Sequence, residues 1–493
     1  MDGFSCKSIL SGVLVPASRL GHCGADKRRW RSILLVSLAG FGLSGCILGS
    51  EHPDPALPIP ASYRAGSKSP EAAVPALDWW RGFRSPELTA LVEAAQLSNL
   101  DIAVAVAQII QADAQAGISG APLFPSLSAN ASAQRIRQPS LSSGSASTST
   151  FSEYSLGLTA SYMLDFWGKN RATLYAAESN AVASRYNREV VTLSTVTTVA
   201  NTYFQVLAAQ DQLRVARNNL AAATRILELI QKQFAGGTVS QLDVSQQASL
   251  VATVRASIPP LEVTLRQNTA ALAVLVARLP EEFNVKGRSL SKLSVPRVTP
   301  GLPSNLLTQR PDIRQAEAQL VASNFSVEAA RAAFFPQIQL TGTTGFQSTA
   351  LSALFAPGAW YYTLAASLLQ PIFDGYLLKS ELKQARGVQL ENLQLYRKAV
   401  LSAFADVENA LVALKQTTIQ LRLQNDVVTN SRQAFQISEE QLRGGTISLI
   451  NVLQTQQTLF TAESNLVQIR LNRMLASSSL FQALGGGWVW PTK

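Results

Sequence analysis

The segment FAGGTVSQLDV, residues 234–244, returns later in the chain as LRGGTISLINV, residues 442–452. Position 442 lies 208 residues after position 234, and the two segments share the same order of glycines, threonine and apolar residues. Adjacent glycines tolerate the backbone conformations that reverse a chain. We therefore interpret each copy as a turn between two helices, and the chain as two similar halves.

Apolar residues recur every seven positions on both sides of these turns. In the first copy they are Val199, Val206, Leu213, Leu220, Leu227 and Phe234 before the turn, and Val244, Val251 and Ile258 after it. Each of these nine residues has an apolar counterpart 208 positions later, from Val407 to Leu466. A sustained seven-residue period is typical of helices that supercoil along a partner. An ordinary helical bundle would also fit this pattern.

The helix before the first turn is predicted to be very long. No glycine or proline interrupts residues 169–235. At 1.5 Å per residue this segment gives about 100 Å of helix. Because a compact domain cannot contain such a helix, its length favours an extended coiled-coil architecture.

The charged and nucleophilic residues exclude several classes of protein. The net charge is +10, and residues 1–45 form a basic leader with six basic and two acidic residues. The positive charge of the remaining chain is spread along the sequence, which does not indicate nucleic-acid binding. The only histidines, His22 and His52, precede the folded region, so no Ser-His or His-metal site can form there. No phosphate-loop motif is present. We predict neither an enzyme nor a metal or cofactor site.

The N-terminal residues are typical of an exported lipoprotein. The basic sequence KRRWR at 27–31 precedes an apolar segment at 32–43, which is the order of a secretory signal. The segment ends in LSGC at 43–46, which resembles the bacterial lipobox and predicts lipid attachment at Cys46. Residues 50–75, rich in proline, alanine and serine, are predicted to form an extended tether.

Each half also contains a pair of candidate strands. Residues 123–137 and 154–166 form the first pair, with a Ser/Thr/Gly-rich loop at 138–150, and residues 334–341 and 362–373 form the second. Apolar residues in 154–166 alternate with small or polar ones, which is the period of a sheet with one lipid-like face. A soluble sandwich would show the same alternation.

The number of strands restricts how they can be used. No long charge-free apolar run follows residue 43, so we expect any later membrane crossing to use strands. Four strands leave two open edges and too short an arc to close, and a membrane does not tolerate open edges. The strands therefore form either a soluble ribbon or a barrel shared between subunits.

Together these features resemble the TolC-like outer-membrane factor family, in the lipoprotein branch that serves resistance-nodulation-division efflux systems. The resemblance spans residues 43–487 and rests on the LSGC motif, DWW at 78–80, LTQRPDIRQAE at 307–317, the FFP strand start at 334–336 and both Gly-Gly-Thr turns. It implies an α+β membrane protein. Duplicated coiled-coil hairpins would form an α-barrel, and four strands per chain would contribute to a trimeric twelve-stranded outer-membrane β-barrel.

The resemblance implies a passive duct in a tripartite efflux pump, exporting drugs or other toxic compounds through the outer membrane of a Gram-negative bacterium. A homotrimer, lipid-anchored and extending into the periplasm, would meet a periplasmic adaptor and an inner-membrane pump at the turns. The implied contact residues are Gly236, Gly237, Thr238, Gly444, Gly445 and Thr446, and the candidates for the entrance constriction are Asp243, Asn451 and Gln454. In many members of the family that this chain resembles, aspartates follow the second turn. The resemblance matches their positions to Asn451 and Gln454 here, which implies a less acidic entrance.

Two other functions fit part of the sequence. One is the outer-membrane duct of a type I protein secretion system, because similar ducts serve drugs, metals, dyes or secreted proteins according to the pump they join. A periplasmic coiled-coil scaffold would explain the heptads but would leave the paired strands without a role. The predicted divisions are a leader and signal peptide at 1–45, a tether at 46–77, a first repeat at 78–279, an equatorial linker at 280–304, a second repeat at 305–484 and a tail at 485–493.

Overall fold

The structure is a computed structural model that describes residues 53–57, 63–64, 76–142, 145–287, 289–296 and 303–486. The predicted leader, Cys46 and part of the tether lie outside these residues. In the described part of the chain, nine α-helices and four strands follow one another. Their bounds are α1 Pro86–Ser98, α2 Leu100–Gly120, β1 Ser126–Ser142, β2 Ser145–Leu164, α3 Lys169–Ala235, α4 Gln241–Ala256, α5 Ile258–Leu275, α6 Pro303–Gln309, α7 Pro311–Ala332, β3 Gln337–Ser348, β4 Trp360–Leu369, α8 Leu377–Arg443 and α9 Leu449–Ala483.

The two long helices confirm the predicted duplication. Helices α3 and α8 each contain 67 residues, and their first residues, Lys169 and Leu377, stand 208 positions apart. Each helix is about 100 Å long at the usual rise per residue. Each is followed by a short turn and a returning helical segment, as the repeated glycine turn predicts.

The heptad positions are buried differently in the two copies. In α8 the repeat holds towards the turn, where Val428, Phe435 and Leu442 are all buried. In α3, Val199, Val206 and Leu213 are buried, but Phe234 is 43% exposed. The buried residues near that turn are Ala223, Ile226 and Ile230. A straight helix drifts against a strict seven-residue repeat, so the buried stripe of α3 moves to neighbouring positions.

The helices form one layer whose order matches that of the strands. Near the sheet, α3 packs between α2 and α7, and α7 packs against α8. Towards the turns, α4 and α5 take the place of α2, and α9 lies against both α3 and α8. The layer therefore has α2, α4 and α5 at one edge and α8 at the other.

All four strands pair antiparallel in the order β1-β2-β3-β4. The predicted loop at 138–150 is wrong, because β1 and β2 remain paired up to Ser142 and Ser145. Serine and threonine fit a paired strand as well as a loop, and the partner strand satisfies their backbone groups. The hairpin therefore extends beyond β3, whose last pairing is Ser348 with Tyr154.

Several helix boundaries also differ from the predictions. Residues 86–116 contain no proline after Pro86 and no glycine, which predicts a single helix, but the structure has two. They are separated at Asn99, whose side chain accepts hydrogen bonds from the amides of Asp101 and Ile102. The first returning helix is also divided, at Ser257, since Pro259 and Pro260 cannot continue it. In the described part of the predicted linker at 280–304, the structure has 3₁₀ turns and the start of helix α6.

The described part of the chain contains one helical stretch with the length and composition of a membrane-spanning helix. Residues Pro86–Leu123 are long and apolar enough to cross a membrane, judged by length and composition alone. Core helices of soluble proteins meet the same criterion. The stretch contains the break at Asn99, and its second helix, α2, packs along α3.

An aromatic core surrounds the middle of α3. Trp79 stacks on Phe481 with ring centroids 4.9 Å apart, and Phe83 contacts Phe204 at the same distance. Glu87 accepts hydrogen bonds from the backbone amides of Lys286 (2.6 Å) and Gly287 (2.7 Å). These contacts join the start of the first repeat, its linker and the end of the second repeat around one segment of helix.

Candidate functional site

The two Gly-Gly-Thr turns have the same geometry. Gly237 and Gly445 adopt positive φ of 72° and 69°, the left-handed region that glycine enters without strain. The Thr238 amide donates to the Gln233 carbonyl (3.0 Å), and the Thr446 amide donates to the Gln441 carbonyl (2.9 Å). Both ends are Schellman motifs, in which the turn satisfies carbonyls that the helix leaves free. The six predicted turn residues thus form two equivalent turns.

The first returning helix starts with a complete capping box. The Asp243 carboxylate accepts from the Ser240 amide (2.9 Å) and hydroxyl (2.7 Å), while the Ser240 hydroxyl accepts from the Asp243 amide. The hydrogen bond from the Ser240 side chain, followed by that from its amide, lowers the pKa of Asp243. This predicted constriction residue therefore also caps its own helix.

The second returning helix lacks this box. Asn451 occupies the position equivalent to Asp243, and its side-chain amide donates to the Ser448 hydroxyl (3.2 Å). The Ser448 side chain makes no capping hydrogen bond. Asn451 and Gln454 are both exposed. The structure therefore leaves these two polar side chains at the surface, in the first turns of α9.

A buried glutamine near the turns was not predicted. Gln456 lies on the apolar face of α9 between Val452 and Leu459 and is 0% exposed. Neither of its amide atoms has a hydrogen-bond partner among the described residues. Gln247 is equally buried, and its side chain donates to the Ala223 carbonyl (2.8 Å). The heptad repeat could have shown that Gln456 lies beside the apolar stripe formed by Val452 and Leu459. It could not have shown that the side-chain amide of Gln456 lacks a hydrogen-bond partner.

Replacing Gln456 by leucine is expected to stabilise the bundle near the turns. A buried amide without a partner costs about 1–3 kcal/mol, which an apolar side chain of similar volume does not. We expect the Gln456→Leu variant to unfold at a higher temperature in detergent, measured by circular dichroism at 222 nm. The exposed Gln457→Leu change is the matched control and should leave the unfolding temperature nearly unchanged. A lower temperature for Gln456→Leu would contradict the prediction.

The sheet has one apolar and one polar face. Across all four strands, the apolar face carries Leu127, Ala129, Ala131, Leu156, Leu158, Tyr162, Leu164, Ile338, Leu340, Phe346, Trp360, Tyr362, Leu364 and Leu368. The opposite face carries mostly Ser, Thr, Asn and Gln. On this face, the hydroxyls of Ser132 and Ser155 form a hydrogen bond of 2.8 Å. An apolar outer face with a polar interior is the pattern of membrane barrels, not of a sandwich with a buried apolar core.

Aromatic residues mark both ends of the apolar face. Trp360 and Tyr362 lie at one end with ring centroids 5.4 Å apart. At the other end, Trp167 stacks on Phe335 at 4.7 Å. Strand β4 has 10 residues, and at the usual strand tilt it spans about 25 Å, the height of the apolar band of an outer-membrane barrel.

The LTQRPDIRQAE sequence has a structural explanation. Arg310 is largely buried and pairs with Asp312 (2.7 Å) and Asp406 (3.0 Å). It also donates to the carbonyl of Ala483 (3.2 Å). The Arg310 guanidinium therefore connects α7, α8 and the end of α9. This gives the motif a structural role at the start of the second repeat.

Comparison with known proteins identifies the family. Residues 91–278 and 302–486 match the family described as outer membrane efflux protein. The chain belongs to this family. It is 39% identical over 440 residues to the pyoverdine export outer membrane protein OpmQ of Pseudomonas aeruginosa, covering 88% of this chain and 92% of that protein. It is 32% identical to the probable outer membrane lipoprotein SilC of Salmonella typhimurium, over 91% and 97% of the two chains.

Solved structures agree with the fold. The open state of the Neisseria gonorrhoeae MtrE outer membrane channel superposes with a TM-score of 0.78 at 30% identity, covering 89% of this chain and 98% of that one. These findings confirm the predicted family, the fold class and the role as an outer-membrane efflux component. Its location in the outer membrane is confirmed as well. The family consists of outer membrane channel proteins.

Proposed function

We propose that three copies of this outer membrane efflux protein form a closed, passive duct. The observation that supports it most strongly is that both the sheet and the helical layer have free edges on the same two sides. Among the described residues, strands β1 and β4 each pair with only one other strand. The helices that adjoin these strands in sequence, α2 and α8, stand at the corresponding edges of the layer. Joining β4 of one subunit to β1 of the next removes every open edge, as a membrane requires.

Exposed apolar side chains support the same assembly. The edge helix α8 exposes Leu390, Leu401, Val412 and Leu423, and the other edge helix, α2, exposes Leu100, Val104, Ile110 and Ile118. An apolar stripe along a helix is stable in water only when a partner covers it. Three copies supply twelve strands, whereas the four strands of one chain cannot enclose a polar lumen.

The proposed duct opens to the exterior through the sheet and to the periplasm at the two turns. Gly236, Gly237 and Thr238, with Gly444, Gly445 and Thr446, would meet a periplasmic adaptor, and Asp243, Asn451 and Gln454 would line the entrance. An inner-membrane pump would supply the energy, since no nucleotide-binding motif or catalytic triad is found in the sequence.

The proposed cargo is a small organic molecule. Two similar proteins are named for pyoverdine export and two for toluene efflux. A polar lumen lined by Ser, Thr and Gln suits solutes of mixed polarity. Secretion of a protein through the same duct is the second candidate. Export of a fluorescent dye from cells that produce the wild-type chain, compared with cells without it, tests the small-molecule assignment.

Added acidic residues at the second turn should create a cation site if the turns form the entrance. Three like charges around a narrow opening repel one another unless a cation neutralises them. An aspartate at 451 would accept hydrogen bonds from Ser448, as Asp243 does from Ser240. An aspartate at 454 has no such neighbour in a capping box, so Gln454→Asp tests the effect of the added charge more directly. We expect the Gln454→Asp variant to show a planar-bilayer conductance that is sensitive to Mg²⁺ on the periplasmic side. The double variant with Asn451→Asp and Gln454→Asp should be more sensitive still.

The control for this experiment is Gln457→Asp, which adds the same charge at an exposed position one helical turn farther from the turn. Its conductance should respond to Mg²⁺ less than that of Gln454→Asp. An unchanged response in a correctly assembled Gln454→Asp, Asn451→Asp trimer would exclude the second turn from the entrance.

Lipid attachment at Cys46 is part of the proposal. Several acyl chains anchor a protein stably, whereas one gives only marginal binding. Because the sheet would hold the protein in the membrane in any case, Cys46→Ala should impair signal-peptide processing more than membrane residence. Mass spectrometry of the mature N-terminus tests this, and an unmodified Cys46 in the wild-type protein would refute it.

A further inference from the structure

The β1-β2 hairpin continues well beyond the apolar band of the sheet. Ala131, Leu156, Phe346 and Trp360 form one row across the four strands. Beyond this row, β3 pairs for only two more residues, while β1 and β2 continue to Ser142 and Ser145. The end of the hairpin therefore stands outside the apolar band, on the side away from the helices.

Two arginines lie on the outer face of this extension. Side chains alternate between the faces of a strand, so the outward face of β1 continues from Ala131 through Ala133 to Arg135 and Arg137. Both arginines are exposed. Neither has an ion pair or hydrogen bond among the described residues. Their cross-strand neighbours, Ser152 and Thr150, carry no charge.

No acidic residue shares this face. In residues 134–153 the only other charged residue is Glu153, and residues 348–359 contain none. Glu153 faces the polar side, where it accepts a hydrogen bond from Gln347 (2.9 Å). The outward face of the extension is therefore purely cationic.

The height of the arginines corresponds to a lipid headgroup layer. Arg135 and Arg137 follow Ala131 by four and six residues, which is about 14 and 20 Å along the strand at 3.4 Å per residue. A strand tilt of about 40° reduces this to about 10 and 15 Å above the aromatic row. This places the backbone of both arginines outside the apolar band, on the side of the lipid headgroups.

We propose that Arg135 and Arg137 form a binding site for phosphorylated lipid headgroups in the outer leaflet of the membrane. Guanidinium groups bind phosphate oxygens in a bidentate manner, and the site has no competing carboxylate. The proposal depends on the outward orientation of the apolar face but not on the cargo or the pump. It assigns to the hairpin extension a role in fixing the protein against the outer leaflet.

Native mass spectrometry of the detergent-solubilised protein can measure this binding, with bis-phosphorylated lipid A as the probe and dephosphorylated lipid A as its reference. We expect wild type to prefer the phosphorylated lipid. The variant with Arg135→Gln and Arg137→Gln should bind it about 25-fold more weakly, because each arginine near an anionic surface contributes about fivefold. The control with Arg255→Gln and Arg266→Gln removes the same charge from exposed helical positions and should bind like wild type.

Two results would overturn the proposal. One is equal binding of phosphorylated lipid A by wild type and by the hairpin variant. The other is a change of anion selectivity in the hairpin variant with lipid binding intact, which would place the arginines in the lumen. If the double variant fails to assemble, Arg137→Gln alone, at the outer position, should still weaken binding about fivefold.

Discussion

Introducing arginine at Leu364 is expected to reduce the protein in the outer membrane severely, whereas arginine at the adjacent Thr363 is expected to be tolerated. Leu364 lies midway along β4 on the apolar face, opposite Gly342. An arginine facing lipid at the centre of a barrel costs about 2–4 kcal/mol per subunit. In a trimer this cost is incurred three times. Immunoblotting of isolated outer membranes, with and without heating of the samples, measures both the amount and the assembly of each variant.

Thr363 provides a matched control because it faces the other side of the same strand. Its side chain lies with Thr343 on the polar face, where water can solvate a guanidinium group. We expect the Thr363→Arg variant to assemble and to shift channel conductance towards anions. Equal loss of both variants, or normal assembly of Leu364→Arg, would contradict the assignment of the apolar face to lipid.

Aspartate at Leu213 is expected to abolish the folded protein or its assembly. Leu213 is 7% exposed in the seam of α3, and an unpaired carboxylate there costs several kcal/mol. Phe234 belongs to the same heptad series but is 43% exposed, so Phe234→Asp should leave the protein level close to wild type. Leu421, partly buried beside Val428 and Ala462, should show an intermediate loss.

Protein abundance and resistance to dissociation in detergent would measure these three variants. The heptad pattern alone ranks Leu213 and Phe234 equally, whereas the structure separates them. Equal tolerance of Leu213→Asp and Phe234→Asp would show that the seam of α3 does not run where the structure has it.

The long helices and the duplication were predictable because the signals that determine them are local and repeated. A glycine turn, an uninterrupted helical segment and an apolar period of seven each act over a few residues, and the second copy confirms the first. The alternation of apolar and polar residues likewise identified which face of β2 is apolar.

Other features depend on distant neighbours and were missed for that reason. The Ser/Thr-rich residues 138–150 are compatible with loop or strand, and only pairing with the opposite strand decides between them. Asn99 separates two helices partly because its side-chain amide donates to the carbonyl of Leu275, 176 residues away (2.8 Å). The burial of Gln456 follows from the packing of several helices and not from its own heptad position.

The candidate site was predictable in position but not in chemistry. The turn residues lie where the repeated motif placed them. The hydrogen bonds between Ser240 and Asp243 depend on side-chain geometry. The second copy has Asn451 at the equivalent position and no capping box. The role of the three proposed entrance residues stays a prediction.

The aromatic core around Tyr203 and Phe204 gives the long helix α3 a mechanical property. About 30 residues separate this core from the turn at Gly236, which corresponds to a rigid arm of about 45 Å. A rotation of only about 5° at the core would displace the far end of such an arm by about 4 Å, comparable to the width of a small solute. Near the turn, Ile226 and Ile230 of α3 are buried in one cluster with residues of α8 and α9. A small change in packing around Phe83 would therefore displace the far ends of these three helices together.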